Sequence, residues 1–102
     1  MNEQAVIVHF DYAADSLDPL FEVEKELENA IEAAGVGELD GNEIAGDLSD
    51  GTLFMYGPDA EALFAAVRPI LAQARCLRKA RVTLRFGPPE DETPERIEQF
   101  DA

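Results

Sequence analysis

Cysteine and histidine each occur once in this 102-residue chain, and tryptophan is absent. The single cysteine, Cys76, excludes a disulfide framework within the chain and makes a reducing compartment the simpler home. The single histidine, His9, has no second histidine or cysteine close by in sequence to complete a transition-metal set. Long apolar runs are missing as well. The stretch after Met1-Asn2-Glu3-Gln4 is too short for a signal peptide or a membrane span, and no basic segment precedes it. The expectation is a cytoplasmic chain without membrane contact. Basic residues are scarce throughout: 8 Lys and Arg against 22 Asp and Glu, a net charge of −14. A surface that negative repels phosphate backbones, which argues against nucleic acid and anionic membranes as partners.

The charge is unevenly placed. Residues 1–61 hold 16 acids and one base, Lys25, whereas residues 62–89 hold six bases and no acid. Residues 90–102 are acidic again, with Arg96 the one base. The apolar fraction of 46% is that of a folded protein, so the charge does not imply disorder. One domain of this length buries roughly 60–70% of its unfolded surface and needs no staples.

Thr52-Leu53-Phe54-Met55-Tyr56 carries no charge and is fenced by Asp50-Gly51 and Gly57-Pro58. That is the pattern of a buried strand in the middle of a sheet. Both faces are apolar, Leu53 and Met55 on one, Phe54 and Tyr56 on the other. Before it, residues 5–12 alternate, with Val6, Val8, Phe10 and Tyr12 on one face and Ile7, His9 and Asp11 on the other. Asp18-Pro19 reads as an N-cap and first-turn proline. Leu20, Val23, Leu27, Ala30, Ile31 and Ala34 then form the stripe of a helix that Gly35 ends. Residues 38–45 are charged and glycine-flanked, the habit of an edge strand.

A second helix follows Gly57-Pro58, with Leu63, Phe64, Val67 and Leu71 in its stripe and Pro69 inside it. The proline predicts a kink there, or a stop and restart. Residues 78–87 alternate as a last strand, Ala80, Val82, Leu84 and Phe86 inward, Arg81, Thr83 and Arg85 outward. Residues 1–89 thus make one α+β domain. The acidic tail, 90–102, is expected to be a short helix started at Thr93-Pro94 and carrying Ile97 and Phe100, or disordered.

The order β-α-β-β-α-β resembles the ferredoxin-like split-βαβ fold, over roughly residues 5–87 and in element order alone. The resemblance implies a four-stranded antiparallel sheet in the order 4-1-3-2, with two helices on one face. Acylphosphatases share that topology, but no glycine-rich phosphate loop follows strand 1 here. RNA-recognition modules share it too, yet no basic-aromatic motif accompanies Ile7, His9 and Asp11.

Three surfaces are candidates for function. His9 with Arg81 and Arg85 would sit together on an open sheet face and suit an anion, though no nucleophile or oxyanion loop joins them to make a catalytic set. The acids Glu38, Asp40, Glu43, Asp47 and Asp50 do not have the spacing of an EF-hand loop, and a solvated edge accounts for them without a metal. Neither a catalytic residue, a metal nor a cofactor is assigned. The third surface is apolar: Ile7 with two of Leu53, Phe54, Met55 and Tyr56, whichever pair points away from the helices. A contiguous patch of that kind marks an interface. The reading is a non-enzymatic interaction or regulatory module, of inhibitor or immunity type, binding a second copy or a basic protein. The alternative is a sensor of an anionic metabolite; a phosphate-handling enzyme comes third.

Overall fold

The computed structural model describes residues 3–99. Seven elements follow in the order β1 (Gln4–Tyr12), α1 (Asp18–Ala34), β2 (Glu38–Ile44), β3 (Asp50–Gly57), α2 (Ala60–Gln73), β4 (Leu77–Arg85) and β5 (Glu95–Gln99). The five strands form one sheet, β2-β3-β1-β4-β5, and every neighbouring pair is antiparallel. The two strands with the most apolar sequence, β1 and β3, lie side by side inside the sheet.

One core fills the space between the sheet and the two helices. Val6, Val8, Phe10 and Tyr12 of β1, Leu53 and Met55 of β3, and Ala80, Val82 and Leu84 of β4 meet Leu20, Val23, Leu27 and Ile31 of α1 and Leu63, Phe64, Val67 and Leu71 of α2. Each fully buried Leu or Phe among these contributes roughly 1.5–3 kcal/mol of transfer free energy. The Tyr12 hydroxyl ties the β1–α1 loop to the core, donating to the Ser16 carbonyl at 2.6 Å and accepting from the Leu20 N–H at 3.3 Å.

The helix ends differ from expectation at one point. Asp18 is the first residue of α1 rather than its cap; Leu17 holds the N-cap position and no side chain caps it. With Pro19 removing one of the free first-turn donors, Asp18 instead places its charge near the positive end of the helix. Gly35 closes α1 in the left-handed conformation, φ 65°, where a side chain would be strained. Asp59 caps α2, accepting from the N–H groups of Glu61 at 3.0 Å and Ala62 at 3.3 Å. The helix runs through Pro69 as one element instead of stopping and restarting. Pro69 and Ala65 are both exposed, so water can satisfy the carbonyl that loses its donor.

The sheet has five strands rather than the four expected, and the extra one comes from the acidic tail. Residues 95–99 are neither a helix nor disordered: they pair with β4, Arg81 opposite Gln99 through Arg85 opposite Glu95. The residue before Pro94 is biased toward extended backbone, and β4 would otherwise present an unpaired row of N–H and C=O groups. The connecting turn is closed by Thr93, whose hydroxyl donates to the Pro88 carbonyl at 2.6 Å, and by Phe86 N–H to Pro94 O at 3.0 Å. Phe100, expected beside Ile97, lies outside the described residues.

Candidate functional site

The helices cover one face of the sheet, and the site is built on the other. Strand alternation sends Leu53 and Met55 to the helices, both fully buried. They belong to the core, which corrects their place among the candidate surface residues. Phe54 and Tyr56 point the other way and are half-buried. Ile7 of β1 is half-buried on the same side.

Cross-strand register sorts this face into rows. The central row runs Gly41, Phe54, Ile7, Thr83 and Ile97 across all five strands. On one side of it lies the row Glu38, Tyr56, Ala5, Arg85 and Glu95; on the other lies Glu43, Thr52, His9, Arg81 and Gln99. Ile97 is 56% exposed, so β5 widens the apolar row without folding over it. The sequence marks Ile97 as an apolar residue of the tail, but an isolated isoleucine among charges shows no period that would place it on a strand.

The charges on this face are segregated by strand. Arg78, Arg81 and Arg85 lie along β4, whereas Glu38, Asp40 and Glu43 lie along β2. Beside Phe54 and Tyr56 the edge strand is indented. A register shift between Leu39 and Gly41, together with the missing side chain of Gly41, leaves a depression of about 300 Å³. Asp40, Gly41, Asn42, Glu43, Phe54 and Tyr56 line it. Asn42 also donates to the Glu24 carboxylate of α1. Burial pushes the Glu24 carboxyl up, and the hydrogen bond from Asn42 partly opposes that.

His9 and Arg81 are register neighbours, as the strand order requires. Arg85 lies four residues further along β4, and its Nε–H donates to the Gly87 carbonyl at 2.9 Å. The acid beside His9 is Asp50 of β3, with Nε2 to Oδ2 at 3.5 Å, rather than Asp11. Nδ1 of the same ring lies 3.4 Å from the Thr52 hydroxyl. A bulge in the β1–β4 pairing, between His9 and Asp11, moves Asp11 beside Arg78. Among the described residues no group of three or more His, Cys, Asp or Glu side chains is arranged to hold a metal ion. Cys76 is buried, and burial pushes its thiol up, away from the reactive thiolate.

Arg96 anchors β5 from the helix side. Its guanidinium makes a two-point ion pair with Glu61 of α2, contacts Glu98 at 3.3 Å and lies 5.9 Å from the centre of the Phe86 ring. In the sequence its only signal is its isolation among acids.

No helix among the described residues is long and apolar enough to cross a membrane. No known family profile matches the chain, and no curated protein matches it. Among solved structures, Rv0793 from Mycobacterium tuberculosis is similar, with a TM-score of 0.60 and 21% identity. The match covers 88% of this chain and 97% of that one, so the two share an α+β fold over nearly their whole lengths.

Proposed function

We propose that this protein is an interaction module whose working surface is the helix-free face of its sheet, and that the surface binds a second copy of the chain. The observation that carries the reading is the row Phe54, Ile7, Thr83 and Ile97, three apolar residues and a threonine, half-buried at the first three positions and exposed at Ile97, across a sheet already covered on its other side. Soluble chains seldom leave such a stripe wet. Its size also fits: five strands of about eight residues span roughly 600 Å² before side-chain relief, close to the ~800 Å² that each partner contributes to a specific interface.

Charge favours a second copy over a basic protein. A basic partner would meet Arg78, Arg81 and Arg85 on this same face, whereas two copies can set the acidic β2 strand of one against the basic β4 strand of the other. The acidic surface of α1, with Glu22, Glu26, Glu28 and Glu32, would remain outside the contact and free for a basic partner. The anion-sensing alternative draws on fewer features, since Arg85 is engaged by Gly87 and His9 faces Asp50.

Light scattering tests the reading. The wild type should have twice the 11.2 kDa of one chain. Phe54→Glu, which places a charge in the middle of the stripe without touching the core, should return it to one. A wild type of single-chain mass at high micromolar concentration would overturn the proposal.

A further inference from the structure

The rows on the open face carry information about how two copies would meet. Two sheets packed face to face about a two-fold axis have two simple settings, with the axis along the strands or across them. With the axis across the strands, β4 of one chain lies over β4 of the other. Arg78, Arg81 and Arg85 would then meet their own counterparts, and like charges brought together in an interface are strongly disfavoured. With the axis along the strands each residue stays in its own row, and only the strand order is reversed.

The position of that axis is chosen by which strands bring opposite charges together. Centred on β1, it would bring β2 over β5 and set Glu38 against Glu95, two carboxylates. Centred on the seam between β1 and β3, it brings β2 over β4 and β3 over β1. From β2 to β4 the rows are then complementary, and β5 lies beyond the overlap. Glu43 meets Arg81, Glu38 meets Arg85 and Phe54 meets Ile7, while Tyr56 lies over Ala5, which its own chain already covers. Opposite Thr83 stands Gly41, whose missing side chain leaves open space. Sheets so packed lie about 10 Å apart, a gap that extended Arg and Glu side chains bridge from opposite sides.

Resting on the reading that the open face binds a second copy, we infer that the two chains are related by a two-fold axis parallel to the strands at the β1–β3 seam, with Glu43 of each chain paired to Arg81 of the other and Glu38 to Arg85. The partner and the register are thus set by the same few residues. Glu43 and Arg81 are exposed in one chain, so reversing either charge leaves the fold intact. A two-fold axis makes each pairing occur twice, which gives a test with a distinctive pattern.

Arg81→Glu alone puts two acids at each contact, and Glu43→Arg alone puts two bases there. Each variant by itself should dimerise at least tenfold more weakly than wild type in sedimentation experiments. An equimolar mixture of the two should recover wild-type affinity as a heterodimer, because every contact in it again joins opposite charges. Single variants that dimerise like wild type while Phe54→Glu does not would overturn this arrangement and leave the surface reading standing. Single variants that weaken without recovery on mixing would overturn it too. A wild type that stays a single chain would remove the surface reading and this one together.

Discussion

Leu53 has no exposed surface and touches the helices, while Phe54, next in the chain, is half-buried on the opposite face. Truncating each to alanine therefore has different consequences. Leu53→Ala removes a fully enclosed side chain from a core with little freedom to collapse, and should cost about 2–5 kcal/mol of folding stability. Chemical denaturation of the monomeric Phe54→Glu background reads that cost without interference from association. A loss below about 1 kcal/mol would contradict the placement of Leu53. The sequence showed that β3 is apolar on both sides but not which side faces the helices, because Leu53 with Met55 and Phe54 with Tyr56 are comparably hydrophobic. The choice depends on β1, whose open-face residues include His9 and Asp11, and on the register that sets Ile7 opposite Phe54. Gly57 was legible only as a turn former. In the fold it ends β3 against the backbone of Val36 and Gly37, where an added Cβ would come within 2.2 Å of the Val36 carbonyl oxygen.

The elements with strong periodic patterns, β1, α1, β3, α2 and β4, were legible because each buries one face against a common core. The weakly patterned tail was not. Its pairing depends on the free edge of β4 and on Arg96 reaching Glu61, neither of which is local in sequence. The Arg96 guanidinium holds the Glu61 carboxyl below the usual carboxylate range. A carboxyl lowered in the folded state stabilises it above its unfolded pKa, and that contribution disappears as pH falls through the folded value. The attachment of β5 should therefore weaken in acid, below the ordinary glutamate range. Hydrogen exchange in the amides of residues 95–99 should speed up there relative to those of β1, and Glu61→Gln should show the faster exchange already at neutral pH. Because both side chains are solvent-exposed the effect is local, so equal protection in Glu61→Gln and wild type would contradict the role given to Arg96.

Across the whole molecule, the net charge of −14 sets a general repulsion between copies. That repulsion is screened beyond about 8 Å at physiological ionic strength, whereas contacts across a closed interface are nearer than that. The acids of α1 lie on the far side of the core from the open face, so the layers of the fold separate repulsive charge from the proposed contact surface. The measurement that tests the account most directly mixes isotope-labelled and unlabelled chains and records only magnetisation transfer between them. The account predicts intermolecular cross-peaks among the side chains of Ile7, Phe54 and Tyr56. Their absence, or cross-peaks arising instead from helical residues such as Phe21, would contradict it.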